Sequence, residues 1–437
     1  MNVEPLADLG PERRRALFER DAGLREIRTD VHEITERVRE EGDAAVREFC
    51  REFDSIDVGN FDITDAAERA YGEINAETRE SIETAASNVR AFHERQRPED
   101  WREEFGEGRE LGRRFRPIDR VGVYVPGGAA AYPSSALMGI IPATVAGVET
   151  ICVATPPAET INPVTLAAIH VAGADEVYSV GGAQAIAALA YGTESVTRVQ
   201  KIVGPGNRWV TAAKAEVRSE CEIDFLAGPS EILVIADETA SPEFVASDLV
   251  AQAEHDENAS VVAVATDRKT ADAIASEVEK LTAEREREGT IREVLENDAS
   301  GVFLARSMSE AISFGETYAA EHLSIQADED EAILERISSA GSVFLGAYTP
   351  VAAGDYASGT NHVLPTNGLA RVTGGLSVEQ FVRASTVQRL SPEGLDSLSS
   401  TIDTLARAEG LEAHAESVAV RLRERSETET ERERLDE

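Results

Sequence analysis

The chain has 437 residues, which at roughly 150 residues per domain suggests about three domains. Apolar residues make up 42% and charged residues 28%, so the chain can bury a sizeable core and is not disordered throughout. The net charge of −38 argues against a protein that holds nucleic acid or an anionic membrane through its overall field. Only four of the 43 basic residues are lysines, and this composition indicates a salt-accumulating organism, although any acidic soluble protein would also fit.

The first hundred residues predict helices rich in arginine and glutamate, because residues 30–48 and 65–97 carry apolar side chains three and four positions apart. A polar connector with aromatic side chains follows at 101–119. The beginning of the chain carries acidic residues and does not have the pattern of a signal peptide, so we expect a cytoplasmic protein. The three cysteines are too few and too scattered for a disulfide framework or a cysteine zinc site.

Residue 121 begins a different pattern, in which short β-branched segments alternate with helices of small residues. Residues 121–148 lack charges, but their three prolines and five glycines favour a buried strand, a turn and a buried helix over a membrane span. Further strands are predicted at 151–154, 176–180, 201–203, 231–235, 260–264 and 301–304, and helices at 136–146, 163–172, 183–190 and 242–255. This alternation predicts two α/β units side by side, followed by a helical tail from about residue 377.

Three turns that follow predicted strands are candidates for binding a phosphate-containing ligand. They lie at 126–128, 181–184 and 204–207, and each contains glycines that let the backbone approach a ligand. The usual dinucleotide fingerprint is absent, since its nearest imitation at 204–209 has Trp209 in place of the third glycine. The turns would line one crevice if their strands end at the same edge; alternatively, they are only tight connections.

A helix brings Gln252 and His255 to the same face, where an amide oxygen and an imidazole can share one cation. A polar surface turn is the alternative interpretation. The loop 354–362 holds Asp355 and His362 among glycines, a composition that suits ligand contact better than packing.

Two further glutamate–histidine pairs admit either a catalytic or a structural interpretation. Glu321 and His322 are adjacent, so one of them can act as a general base while the other activates a water molecule. A helix cap or an ordinary surface position is the alternative. Glu409 and His414 carry the same ambiguity.

Taken together, several segments resemble the histidinol dehydrogenase family in order and spacing. They are residues 181–186, 204–207, 227–231, 248–256, 354–366 and 409–414, within a match that runs from roughly residue 20 to 420. The resemblance implies a cytoplasmic, zinc- and NAD-dependent enzyme of histidine biosynthesis. Such an enzyme oxidises L-histidinol to L-histidine in two hydride transfers, with the aldehyde held between them.

The resemblance also implies roles for individual residues. One Zn²⁺ per subunit would be held by Gln252, His255, Asp355 and His414. The substrate would contact these ligands, the acid–base pair Glu321 and His322, and also Ser230, His362 and Glu409. NAD would contact Tyr124, Gln184 and Asn207. One departure is visible: the family usually has proline before the acid–base pair, and this chain has Ala320.

The implied architecture is α/β, with two incomplete Rossmann-like parallel-sheet units, a helical N-terminal segment and a helical C-terminal tail. We expect N-terminal and connector segments at 1–17 and 101–121, and a first α/β domain with the metal and catalytic residues at 18–100 and 231–372. A second α/β domain with the NAD-contacting turns is expected at 122–230. The family is a homodimer, so the tail, at 376–437, would reach the active site of the partner subunit.

Three rival functions remain open at this point. A zinc hydrolase would use the same ligands with a metal-bound water, would need no NAD and would leave the three glycine turns without a role. A catalytically inactive acidic scaffold would be expected to have lost some metal-ligating side chains, but each position that matches a metal ligand of the family carries a residue able to ligate. Related alcohol dehydrogenases act on other amino alcohols or sulfonates, and the retention of Glu321, His362 and Glu409 favours histidinol.

Overall fold

The computed structural model describes residues 2–20, 23–127 and 131–436, with side chains as far as residue 424. The strands are β1 (Val3–Pro5), β2 (Trp101–Glu104), β3 (Arg109–Pro117), β4 (Arg120–Tyr124), β5 (Thr150–Thr155), β6 (Glu176–Ser179), β7 (Lys201–Val203), β8 (Glu222–Ile223), β9 (Glu231–Ala236), β10 (Ser260–Ala265), β11 (Gly301–Leu304), β12 (His322–Gln326), β13 (Ser342–Leu345) and β14 (Val382–Leu390). The helices are α1 (Pro11–Phe18), α2 (Arg28–Glu41), α3 (Asp43–Phe53), α4 (Thr64–Glu73), α5 (Ala76–Glu94), α6 (Pro133–Ala146), α7 (Pro163–Ala172), α8 (Gly182–Tyr191), α9 (Arg208–Val217), α10 (Pro242–Ala253), α11 (Arg268–Thr282), α12 (Glu288–Glu296), α13 (Met308–Tyr318), α14 (Asp330–Leu334), α15 (Val351–Tyr356), α16 (Pro392–Ala408) and α17 (Glu412–Asp436).

Two parallel sheets form the centre of the fold, as the alternation of strands and helices predicts. A five-stranded sheet has the order β6-β5-β4-β7-β8, and a six-stranded sheet has the order β1-β11-β10-β9-β12-β13. Every neighbouring pair in both sheets is parallel. Strands β9 and β10 are buried along their whole length, which is the pattern of strands covered by helices on both faces.

Each parallel sheet has a point at which the strand order reverses. The chain proceeds from β4 outward to β5 and β6, and then returns to place β7 on the other side of β4. The six-stranded sheet repeats this plan, with β10 and β11 on one side of β9, and β12 and β13 on the other. Ligands of open α/β sheets commonly bind at such reversals.

The uncharged stretch at 121–148 forms β4 and the buried helix α6, as predicted. Helix α6 contains Pro142 and is buried on nearly every side, so its apolar character reflects burial in a protein core. Among the helices that the structure describes, none combines the length and the hydropathy that a bilayer crossing requires.

The N-terminal helices pack against a different sheet from the one with which the predicted domain boundaries group them. Helices α2 and α3 share a buried core with α8 of the five-stranded sheet, through side chains such as Val38, Phe49 and Ile186. The predicted boundaries grouped residues 18–100 with 231–372, whose strands form the six-stranded sheet. Strand β1 pairs with β11, so the beginning of the chain is part of that six-stranded sheet. An amphipathic helix shows that it has an apolar face, but its sequence does not tell which sheet that face covers.

The chain divides by contacts into two compact units, residues 1–97 with 118–381, and residues 98–117 with 382–437. The first unit contains both parallel sheets. The second unit contains the antiparallel sheet β14-β3-β2 and the helices α16 and α17.

This second unit corrects two predictions from the sequence. The connector at 101–119 contains β2 and β3, and the tail predicted to be helical from about residue 377 contains the nine-residue strand β14 before its helices. Strand β14 is mostly exposed and lacks the alternation of a half-buried strand, so its sequence gives no strand signal. Pairing with β3 along its full length, from Val382 opposite Pro117 to Leu390 opposite Arg109, defines it as a strand.

Candidate active site

The predicted metal, substrate and acid–base residues of the first unit gather at the amino-terminal edge of the six-stranded sheet. Ser230 immediately precedes β9 and Glu321 immediately precedes β12, and these two strands are neighbours. Helix α10 ends at Ala253, so Gln252 lies in its last turn and His255 lies just beyond its end. This edge is opposite to the one at which parallel sheets usually bind ligands, and strand periodicity alone therefore does not locate it.

The backbone of a single residue, Glu231, holds both members of the acid–base pair. The Glu231 N–H donates to a carboxylate oxygen of Glu321 at 2.8 Å. The Glu231 carbonyl lies 3.0 Å from His322 Nδ1, and because a carbonyl only accepts, Nδ1 carries the proton of this hydrogen bond. His322 Nε2 is then the nitrogen left for chemistry. It is buried, has no hydrogen-bond partner within the described part of the chain, and lies 3.7 Å from an Asp355 carboxylate oxygen.

Burial and charge shift the pKa values in this cluster. Burial raises the pKa of Glu321 to about 8, although the neighbouring His322 opposes the shift. Burial disfavours the charged form of His322, but the carboxylates of Glu321 and Asp355 outweigh it and raise its pKa to about 9. Asp355 is also partly buried, yet its interactions with His322, His362 and His255 lower its pKa. The three groups therefore form one coupled set, in which Glu321 and His322 hold protons at neutral pH in the absence of a metal, and a bound cation would lower both pKa values and free these groups to act as bases.

The loop 354–362 joins the two halves of the first unit. The Asp355 carbonyl lies 3.0 Å from His362 Nδ1, which fixes the orientation of that ring. The buried Asn361 side chain donates to the Met138 carbonyl of α6 at 2.8 Å, and Asn88 of α5 donates to the Ala357 carbonyl at 2.8 Å. Helices α5 and α6 pack on each other, and α6 contacts β4 and β5 of the five-stranded sheet. The loop is therefore anchored more firmly than its polar, glycine-rich sequence predicts.

A cavity of about 870 Å³ connects the glycine turn after β7 with Glu321, one member of the acid–base pair. Its lining includes Asn207, Ser230, Glu231, Glu321 and His362. A volume of this size is in the range of small-molecule and cofactor sites. The turn from one sheet and the catalytic candidates from the other thus face a common space.

The donors of the first unit fit a divalent transition metal. They are an amide (Gln252, 4% exposed), an imidazole (His255) and a carboxylate (Asp355, with 15% of its side chain exposed). The unpartnered His322 Nε2 beside Asp355 is consistent with a missing group at this position. No cluster of three or more His, Cys, Asp or Glu suited to a metal occurs within the described ranges. The predicted set contains only three such residues, and one of them, His414, belongs to the second unit.

The three predicted NAD contacts follow strands of the five-stranded sheet. Tyr124 ends β4, Gln184 lies in the first turn of α8 after β6, and Asn207 follows β7. Because these strands are parallel, the turns lie at the same edge, as the crevice interpretation requires. Asn207 lines the cavity and caps α9 by accepting from the N–H groups of Trp209 and Val210 at 3.0 and 3.2 Å.

Tyr124 and Gln184 are more enclosed than Asn207, since only 3% and 2% of their surfaces are exposed. The Tyr124 hydroxyl accepts from the Gly182 N–H at 3.1 Å, which ties β4 to the second glycine turn. Residue 128, at the end of the first turn, lies outside the described residues.

Sequence reasoning missed Glu231. Its side chain is only 1% exposed, forms an ion pair with Arg20 at 2.9 Å and accepts a hydrogen bond from the Asn367 N–H at 2.8 Å. Its backbone N–H and carbonyl hold the acid–base pair. A signal was present, because an acid opens the otherwise apolar strand β9. A charged residue in such a strand is rarely buried without a partner.

Glu409 and His414 belong to the second unit. Glu409 directly follows α16 as its C-cap, and His414 lies in the first turn of α17. Gly410, between the helices, has a φ of 75°, a conformation that glycine adopts without strain.

The comparisons with known proteins agree with one another. The family described as "Histidinol dehydrogenase" matches residues 18–422. Histidinol dehydrogenases of the halophilic archaea Haloarcula marismortui and Halobacterium salinarum are 69% and 68% identical over 418 residues, covering 96% of this chain and 99% and 98% of theirs. The crystal structure of histidinol dehydrogenase from Elizabethkingia anophelis matches with a TM-score of 0.91 at 36% identity, covering 97% of this chain and 98% of that chain. The chain therefore belongs to the histidinol dehydrogenase family.

Proposed function

We propose that this chain oxidises L-histidinol to L-histidine through a bound aldehyde, reducing two NAD molecules per substrate. The observation that carries the proposal is the pair Glu321–His322, which the Glu231 backbone holds and of which Glu321 lines a cavity shared with the Asn207 turn. Family membership supports the substrate and the pathway, namely histidine biosynthesis. The cytoplasm is the compartment we propose.

Gln252, His255 and Asp355 would hold Zn²⁺, and His414 would complete the set. Bound zinc would orient the substrate amine and imidazole and stabilise charge on them. Ser230 and His362 lie at the cavity wall, where they would contact the substrate together with Glu409. The geometry of Asp355 serves this role, since its backbone orients His362 while its carboxylate stays near His322.

His322 is the general base in this proposal. Its Nδ1 is committed to the Glu231 carbonyl, so Nε2 takes the hydroxyl proton while the carbon gives its hydride to the nicotinamide. The alcohol R–CH₂OH and NAD⁺ give R–CHO, NADH and one proton. The first NADH then leaves and a second NAD⁺ binds.

Glu321 acts in the second step. Its carboxylate takes a proton from water while the water oxygen bonds to the aldehyde carbon, and the His322 imidazolium left by the first step gives its proton to the former carbonyl oxygen, which completes the hydrate R–CH(OH)₂. His322 then removes a hydroxyl proton from the hydrate as the second hydride leaves. The product is the carboxylic acid, and the whole sequence releases two NADH.

The active site is proposed to be shared within a homodimer. Glu409 and His414 belong to the second compact unit, and in this proposal that unit supplies them to the partner subunit. Mixing His255→Ala chains with His414→Ala chains would test this, because each variant alone lacks one ligand. Recovered activity in mixed dimers supports sharing, and no recovery in confirmed mixed dimers contradicts it.

The decisive experiment is an assay with L-histidinol, Zn²⁺ and NAD at high KCl, in which the NADH formed per substrate is counted at 340 nm. Two NADH per histidinol support the complete reaction. One NADH means that the aldehyde is the product. Substrate turnover without any NAD requirement would favour a zinc hydrolase, and a panel of other amino alcohols tests the substrate.

A further inference from the structure

A buried ion pair lies directly behind the glycine turn that follows β7. The Lys214 ammonium is 2.7 Å from an Asp224 carboxylate oxygen, and the two side chains are only 4% and 1% exposed. Buried charges are costly to desolvate, so a pair of this kind needs further hydrogen bonds to be tolerated. Here Asp224 also accepts from the Phe225 N–H at 2.7 Å, and the other further bonds of the pair go to one residue of the turn, Gly204.

Both polar groups of Gly204 are used by the pair. Lys214 Nζ donates to the Gly204 carbonyl at 2.6 Å, and the Gly204 N–H donates to the second Asp224 oxygen at 2.8 Å. Gly204 has a φ of 110°, and a Cβ there would lie 2.2 Å from the Tyr124 carbonyl oxygen. The residue must therefore be glycine, and a glycine without these bonds would be free to adopt other conformations.

The position of the pair connects this constraint to the cavity. Lys214 lies on α9, seven residues after the Asn207 cap, and Asp224 directly follows β8, the neighbour of β7. The pair therefore fixes the turn 204–207 from the helix that follows it and from the adjacent strand. Asn207, at the end of this turn, lines the same cavity as Glu321.

We propose that Lys214 and Asp224 are positioning residues for NAD, which hold the turn 204–207 so that Asn207 is presented to the cofactor. This inference rests on the proposed NAD-dependent function. Neither side chain touches the cofactor in this proposal; both act through Gly204. Lysine suits the position because its ammonium is a compact charge with three donors, whereas the planar guanidinium of arginine is larger.

Two double variants separate positioning from simple stabilisation. Lys214→Met alone would leave a buried carboxylate unpaired, so each variant also carries Asp224→Asn, which is neutral and keeps an acceptor for the Gly204 N–H. Lys214→Met/Asp224→Asn removes the donor to the Gly204 carbonyl. Lys214→Gln/Asp224→Asn has a side chain of similar length and restores a donor. Lys201→Met is the matched control, since Lys201 begins β7, the strand that leads into the turn, and is also a partly buried lysine.

The measurement is the dissociation constant of NADH by calorimetry, together with zinc content and the thermal midpoint of each variant. We expect the methionine double variant to bind NADH about tenfold more weakly, and the glutamine double variant to recover part of this loss. KM for NAD should rise while kcat at saturating NAD stays near the wild-type value. The Lys201→Met control should bind NADH like the wild type.

A folded methionine double variant with wild-type NADH affinity would overturn the inference. If that variant does not fold, the glutamine double variant decides the question. Its NADH affinity should fall more than its histidinol affinity. Equal losses of the two affinities would indicate general disruption of the fold and would contradict a positioning role. Wild-type protein that binds no NADH would refute the proposed function itself, and the inference with it.

Discussion

Replacing Glu321 by glutamine should separate the two oxidation steps. Glutamine keeps an oxygen that accepts the Glu231 N–H, now at 2.8 Å, so the variant preserves the hydrogen bond that positions this side chain. Because this hydrogen bond is kept, now with a neutral acceptor, we expect the free energy of unfolding to change by only about 1 kcal/mol. What the variant loses is the basic oxygen that takes a proton from water.

The expected size follows from the role of the lost group. General-base catalysis contributes about 10²–10⁴ in rate, which corresponds to about 3–5 kcal/mol of barrier. We therefore expect Glu321→Gln to slow aldehyde oxidation by that factor while alcohol oxidation changes little. His322→Asn should slow both steps, because Nε2 removes a proton in each and the Nδ1 bond to Glu231 is lost as well.

The assay measures single turnovers starting from histidinol and, separately, from the aldehyde, with NADH counted in each. Wild-type protein should release two NADH per histidinol, and Glu321→Gln close to one on the time scale of the first step. Glu329→Gln is the control, since Glu329 is exposed and follows the same strand, β12. A Glu321→Gln variant that loses alcohol oxidation but keeps aldehyde oxidation would refute this division of labour.

Three further predictions concern stability and pH. Arg20→Met should lower the free energy of unfolding by about 3–5 kcal/mol, because it leaves the buried Glu231 carboxylate unpaired. In denaturant unfolding, the double variant Arg20→Met/Glu231→Gln should lose less stability than Arg20→Met. Equal losses in the two variants would contradict this reasoning. Gly341→Ala places a Cβ 2.6 Å from the backbone carbonyl oxygen of Glu321, so it should lower the free energy of unfolding by about 1–3 kcal/mol and lower kcat. Gly289→Ala is the control, since the space around Gly289 is open, and it should change neither quantity. Burial raises the pKa of Asp54 to about 6, so its carboxylate destabilises the folded protein as the pH rises from about 4 to 6. Asp54→Asn should therefore stabilise the protein by about 1 kcal/mol at pH 7, allowing for solvent screening of this half-buried group, and thermal melts should show the gain disappearing toward pH 4; a gain that does not depend on pH would exclude this cause.

Much of the fold could be predicted because its signals are local. The apolar strands β4 and β9 and the small-residue helices between strands are readable from a few residues each, and their alternation implies parallel sheets. Composition was equally informative: the acidic, lysine-poor chain predicted a halophilic character, which the relatives from halophilic archaea confirm. Segment order and spacing likewise indicated the family, which the comparisons confirm.

The site required the tertiary structure, because its parts meet through long-range contacts. His322 and Asp355 approach to 3.7 Å although 32 positions of the chain separate them, and Glu231 controls the acid–base pair through its backbone, which side-chain chemistry does not reveal.

The amino-acid sequence by itself determined many of the strands and helices of the two parallel sheets, the family and the types of side chain available for chemistry. Only the tertiary structure decided which sheet the N-terminal helices cover, that residues 382–390 form a strand, and which nitrogen of His322 is free. The physical reason is the same in each case. Periodicity and propensity record what a segment can bury or pair, whereas the partner that it meets is set by the packing of the whole chain.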